Sequence, residues 1–222
     1  RRRACAASLA IVSGNRVKFT PLPHKAATDQ KRAAIREKED VRGMSRLRKT
    51  VVLVGMMGAG KTAVGTQLAR QLAVPFVDSD DEIEKAAARS IPEIFARDGE
   101  PFFRQKETQV LLRLLRGAPC ILSTGGGAFL ADENRAAIAD MGVSVWLRAD
   151  LDTLWQRVRH KSSRPLLRTA NPRATLAALL EAREPVYASA TITVESRTGI
   201  SVDQMAARVR EALAAHPDIM EK

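Results

Sequence analysis

Gly55-Met56-Met57-Gly58-Ala59-Gly60-Lys61-Thr62 decides the fold class. The octapeptide has the pattern Gly-x-x-x-x-Gly-Lys-Thr and follows the apolar run Val51-Val52-Leu53-Val54. That run reads as a buried strand, and Val64, Leu68 and Leu72 downstream form a helical stripe. A strand, a glycine-rich loop and a helix in succession are the context of a phosphate-binding loop. Glycine lets backbone N–H groups converge on phosphate oxygens, and the helix N-terminus adds its positive end. Lys61 is expected to reach the β- and γ-phosphates, and the Thr62 hydroxyl to ligate Mg²⁺. Gly58, Ala59, Gly60, Lys61, Thr62 and Ala63 are therefore the candidate nucleotide-binding residues of the loop.

The 222 residues, 45% of them hydrophobic, suffice for one sizeable domain, or one domain plus a tail. No run approaches the ~18 apolar residues of a membrane span, so no membrane partner is expected. Cys5 and Cys120 are the two cysteines, too few for a disulfide framework. Cys120 lies in an apolar stretch, which fits a reducing, cytoplasmic setting. The net charge of +11 invites a nucleic-acid hypothesis, but the charge is concentrated. Residues 1–49 hold 14 Lys and Arg against 4 Asp and Glu, a net of +10, which leaves +1 for the rest. The segment has a single aromatic, Phe19, so base stacking has little support and no nucleic acid is expected.

Residues 1–43 are set apart as a basic segment. Pro21-Leu22-Pro23 interrupts it, and residues 31–38 have the composition of a short solvated helix. Three readings stand side by side. It is a disordered or loosely helical extension, an Arg-rich, acid-poor transit peptide, or a stretch upstream of a true start at Met44. The domain proper is taken as 44–222.

Beyond residue 50, apolar runs alternate with helical patterns. The strand-like runs are Thr50–Val54, Val74–Val77, Cys120–Ser123, Val143–Leu147 and Ala190–Val194. Five strands alternating with helices imply a parallel sheet covered on both faces, an α/β fold of three layers. Ser90-Ile91-Pro92-Glu93 is a capping box that starts a short helix ending near Asp98-Gly99. Arg104–Arg116 reads as a second helix, and Ser201 as the cap of the last one.

Ligands of open α/β sheets lie beyond the carboxyl ends of the strands. After the second strand comes Asp78-Ser79-Asp80, and alternate residues of an extended segment share a face. Asp78 suits a Mg²⁺ ion, and Asp80, farther out, suits an acceptor hydroxyl. After the third strand comes Gly125-Gly126-Gly127, costly in chain entropy unless the backbone must approach a ligand. No acidic residue ends that strand, which leaves the metal to Asp78. Arg104, Arg164 and Arg183 are candidate anion ligands, because arginine pairs bidentately with carboxylate and phosphate. Glu107, three residues after Arg104, is placed to orient it or to make a helix-surface pair.

This constellation resembles the shikimate kinase family. The matching strings are Gly55–Thr62, Asp78-Ser79-Asp80, Ile94-Phe95 through Asp98-Gly99-Glu100, and Phe103-Arg104-Gln105-Lys106-Glu107. Gly125-Gly126-Gly127, Arg164-Pro165-Leu166-Leu167 and Arg183 before Pro185-Val186-Tyr187 complete them, in family order, over about residues 50–215. The resemblance implies a P-loop kinase fold with a mobile lid at about 157–172. It implies transfer of the ATP γ-phosphoryl group to the 3-hydroxyl of shikimate, with one Mg²⁺ ion, by a cytoplasmic monomer of aromatic amino-acid biosynthesis. By resemblance, Arg104, Arg183 and the Gly126 backbone hold the shikimate carboxylate region, Gly125 and Gly127 also bind substrate, and Asp80 holds its ring hydroxyls. Phe95 and Phe103 wall that pocket. Arg164 approaches the transferred phosphate from the lid, and Arg157 lies beside adenine with Arg197 on its other side. Lys61, Asp80 and Arg164 are thus the expected catalytic residues. Two other readings use the same loop: a gluconate or nucleoside-monophosphate kinase, and a nucleotide-binding module whose basic tail captures a partner.

Overall fold

The computed structural model describes residues 9–11, 18–20, 47–160, 165–167 and 169–220. The chain divides into two units, Arg1–Met44 and Ser45–Lys222. In the first, β1 (Leu9–Ile11) and β2 (Lys18–Thr20) pair antiparallel. The short charged helix expected at 31–38 lies outside the described residues.

The second unit is built on five parallel strands in the order β4-β5-β3-β6-β7. They are β3 (Thr50–Val54), β4 (Phe76–Asp78), β5 (Ile121–Ser123), β6 (Gly142–Ala149) and β7 (Ile192–Ser196). Every residue of β3 is buried, as expected of the central strand of a sheet covered on both faces. The connecting helices are α1 (Lys61–Leu72), α2 (Ser79–Ala87), α3 (Ile91–Leu115), α4 (Asp132–Met141), α5 (Leu151–Val158), α6 (Pro172–Tyr187) and α7 (Val202–Ala214). They lie on both sides of the sheet, with α1 packed on α7, α3 on α4 and α5 on α6. β7 is an edge strand, and its alternation shows it: Ile192, Val194 and Ser196 are buried, Thr193 and Glu195 exposed.

Local chemistry sets the helix ends. Glu93 Oε2 accepts from the Ser90 N–H at 2.8 Å and the Ser90 hydroxyl at 2.6 Å, fixing the start of α3. Gly99 breaks the helical backbone at φ 80, ψ 173, so α3 is two helical stretches joined at a kink. The helix therefore resumes at about Glu100, earlier than the expected Arg104. Ser201 and Gln204 exchange reciprocal bonds of 3.2 and 2.9 Å at the start of α7. The two ends of the unit are tied: Arg48 N–H donates to Ile219 O at 2.8 Å, and Lys49 pairs with Asp218 at 3.3 Å.

Two cores result. The large one surrounds the sheet and includes Leu53, Leu68, Leu122, Leu147, Leu176 and Tyr187. A small one, Ile83, Ile94, Phe103 and Val110, holds α2 against α3. No helix among the described residues is long and apolar enough to cross a membrane.

Candidate active site

At the end of β3 the chain turns through Gly55, Gly58 and Gly60, all with positive φ (133°, 85° and 97°). Such angles are strained for any residue with a Cβ. Space forbids one too: a Cβ on Gly55 would lie 2.9 Å from Leu147 O, and one on Gly58 2.7 Å from Val158 Cγ1. The loop wraps back on itself, with Lys61 Nζ donating to Gly55 O at 2.7 Å and Met56 O at 3.1 Å. Outside the loop, Arg157 Nη1 donates to Gly58 O (3.3 Å), Ala59 O (3.4 Å) and Ser196 Oγ (3.0 Å). One guanidinium thus links α5, the phosphate loop and the end of β7. Burial pulls its pKa down, with Asp150 opposing that.

The loop forms one wall of a cleft of about 810 Å³. Asp78, Asp80, Ser123, Gly125 and Gly126 face it across the cleft, and Arg157, Ile200 and Met205 lie at its other end. Thr62 Oγ1–H donates to Asp78 Oδ2 at 3.0 Å and lies 3.5 Å from Ser123 Oγ. Asp78 also caps α2, its Oδ1 accepting from the Asp80 N–H at 3.0 Å. The Asp78 side chain thus caps the helix with one oxygen and faces Thr62 with the other.

The glycine triplet packs against the loop and three charged side chains. A Cβ on Gly125 would lie 2.8 Å from Asp80 Oδ1 and 3.0 Å from Glu107 Oε1, so two carboxylates gather over it. Ser79 Oγ accepts from the Gly125 N–H at 3.4 Å. The space beside Gly127 is taken by the Arg104 guanidinium, whose Cζ would lie 2.7 Å from a Cβ there. Arg183 Nη1 approaches Gly126 O at 3.5 Å. Neither the Gly126 nor the Gly127 N–H donates to another described residue.

Arg104 is held on three sides. Its Nη1 donates to Glu107 Oε2 at 2.8 Å, its Nη2 to Glu100 Oε1 at 2.9 Å, and its guanidinium lies 5.2 Å from the centroid of the Phe103 ring. Glu107 is 2% exposed, and burial pushes its carboxyl above the usual range while Arg104 pulls it back. Glu107 is thus a buried orienting partner, which the sequence had left open against a surface pair. Phe103 is buried in the small core, and Phe95, 37% exposed, packs on it with centroids 4.6 Å apart.

One expected residue stands elsewhere. Arg197 pairs with its neighbour Glu195 at 2.5 Å and lines a separate depression of about 360 Å³, with Arg148, Leu180 and Glu184. A carboxylate two residues away satisfies it locally. Arg164 lies outside the described residues, as do 161–163 and 168 of the expected lid. Of that lid, Pro165–Leu167 forms one 3-10 turn, with Leu167 buried and Leu166 exposed.

A phosphate loop on the central strand, facing an acidic strand end and an arginine-flanked glycine triplet, defines a small P-loop kinase. The shikimate kinase family model matches residues 57–214. The shikimate kinase of Cereibacter sphaeroides is 72% identical over 178 residues, 80% of this chain and 89% of that protein. That of Ruegeria pomeroyi is 64% identical over 179 residues, 81% and 92% of the two chains. Among solved structures, shikimate kinase from Acinetobacter baumannii in complex with shikimate matches with a TM-score of 0.72 at 38% identity, over 75% of this chain and 93% of that one. The chain belongs to the shikimate kinase family.

Proposed function

We propose that the chain transfers the γ-phosphoryl group of ATP to the 3-hydroxyl of shikimate, giving shikimate 3-phosphate and ADP in the cytoplasm. One observation carries this reading. The space over Gly126 Cα lies 3.7 Å from Gly55 O and Met57 N and 3.9 Å from Arg183 Nη1. An anion-binding loop and a carboxylate-binding cluster therefore abut, as a kinase for a small hydroxylated acid requires.

In this reading Gly58–Ala63 cradle the phosphates and Lys61 neutralises them. Arg104 and Arg183 take the shikimate carboxylate with the Gly125–Gly127 backbone. Asp80 takes the ring hydroxyls and is the candidate acceptor of the hydroxyl proton. Phe95 and Phe103 wall the ring, Arg157 flanks adenine, and Arg164 closes over the transferred phosphate. Phosphoryl transfer needs alignment and charge neutralisation more than covalent catalysis, and these residues supply both. Thr62 Oγ1, Asp78 Oδ2 and Ser123 Oγ meet as hard oxygen donors, a set that fits Mg²⁺ held jointly with nucleotide phosphates. A bound ion would add charge neutralisation at the transferring group. The near-neutral charge beyond residue 49 supports a small-molecule enzyme rather than a nucleic-acid binder, and a monomer suffices for the site.

A coupled assay for ADP tests the reading. Turnover is expected to require ATP, Mg²⁺ and shikimate together, and to vanish with a chelator. Folded protein that turns over gluconate or a nucleoside monophosphate, but not shikimate, would overturn it.

A further inference from the structure

Tyr187 is the chain's single tyrosine and is 0% exposed. It lies four residues after Arg183 on α6, so the two share a helix face. Its ring stacks on Trp146 at 6.2 Å and Phe129 at 6.5 Å between centroids. For that packing a phenylalanine would serve. The hydroxyl, however, donates to Gly126 O, the carbonyl that Arg183 also approaches, and lies 4.0 Å from Met56 Sδ of the phosphate loop. Burial pushes the phenol pKa up, against the opposing pull of Arg183, and so keeps it a donor.

A peptide group is planar and trans, so the Gly126 C=O and the Gly127 N–H point in opposite directions. Between two glycines that plane has little else to fix it. Anchoring the carbonyl on Tyr187 turns the Gly127 N–H to the opposite side, where it has no partner among the described residues.

We infer that the Tyr187 hydroxyl is a positioning group for the acceptor subsite, locking the Gly126–Gly127 peptide so that its N–H meets the acceptor carboxylate on the side where Arg104 stands beside Gly127. This rests on the acceptor reading given above. Tyr187 touches no substrate; it acts through Gly126. It also ties α6 to the triplet, so Arg183 and the glycine backbone keep a fixed relation.

The test is Tyr187→Phe in the full chain, with Arg183→Ala beside it. Tyr187→Phe is expected to raise the shikimate KM about three- to tenfold, the range of one neutral hydrogen bond, with the ATP KM within twofold. Calorimetric shikimate binding without nucleotide weakens by the same factor. An unchanged shikimate KM, or equal rises in both KM values, overturns the inference. If Arg183→Ala raises the shikimate KM and Tyr187→Phe does not, Tyr187 alone is misassigned. If neither variant changes it, the acceptor reading itself has failed. A second readout leaves the chemistry untouched: ¹³Cζ-tyrosine labelling gives one resonance from Tyr187. That resonance is expected to shift when shikimate is added without nucleotide; no shift at saturating shikimate overturns the inference.

Discussion

Gly127 has no room for a side chain because Arg104 fills the space where one would stand. Gly127→Ala must push the guanidinium off its Glu107 and Glu100 partners. The expected result is a rise of about tenfold or more in the shikimate KM, with the ATP KM little changed, since losing a charge-assisted bond costs about 1.5–3 kcal/mol. Two-substrate kinetics check this. Gly65 faces a different constraint. A Cβ there would lie 2.6 Å from Phe76 Cε2 and 3.0 Å from Leu53 Cδ1 in the core. Alanine restores about 1 kcal/mol of helix propensity but overpacks the interior by about 1–3 kcal/mol. Gly65→Ala is therefore expected to lower stability by up to about 2 kcal/mol in urea titration, with both KM values preserved in the folded enzyme.

α5 carries Arg157, and its start depends on Asp150. The Asp150 carboxylate accepts from the Thr153 N–H at 2.7 Å and the Thr153 hydroxyl at 3.0 Å. The backbone bond from Thr153 is the largest cause that holds the Asp150 pKa below its usual value. A depressed carboxyl pKa adds stability above the unfolded value, and that stability disappears as pH falls through the folded value. The loss therefore belongs below about pH 4. Asp150→Asn keeps a capping oxygen but cannot titrate. Its thermal midpoint should vary less with pH than the wild type over that acid range; identical profiles would refute the assignment. At this scale the sequence was legible where one periodicity ruled. Val51–Val54 is apolar throughout, and the strand Thr50–Val54 was placed to the residue. β4 starts two residues later than its apolar run, because α1 ends in a left-handed Ala73 and Val74 N–H still bonds Ala69 O. β7 is likewise displaced, because Ser189 and Ala190 are held in turn bonds to Val186 and Tyr187. β6 runs on through Arg148 and Ala149, past the end of its apolar signal. Of the site, the loop, Asp78, Asp80, the triplet and Arg104 were legible because each sits just beyond a strand or in a motif. Tyr187 and the clamp of Arg157 on the loop were not. Both contacts join residues far apart in sequence, and only the i, i+4 spacing of Arg183 and Tyr187 hinted at the first.

For the molecule as a whole, the charge is uneven: residues 1–44 carry a net +7 and residues 45–222 a net +4. The larger surplus lies in the first unit, while every residue of the candidate site lies in the second. Removing residues 1–43 is therefore expected to leave kcat and both KM values within about twofold while lowering the isoelectric point. A drop in turnover with retained fold would assign that segment a catalytic part. Asp78 bears on the two-substrate reaction in another way. One of its oxygens takes the Thr62 hydroxyl on the phosphate side, and the other takes the Asp80 backbone on the hydroxyl side. The two jaws of the reaction thus hang from a single carboxylate. In the proposed reading, a displacement of either half of the site is passed to the other through that carboxylate.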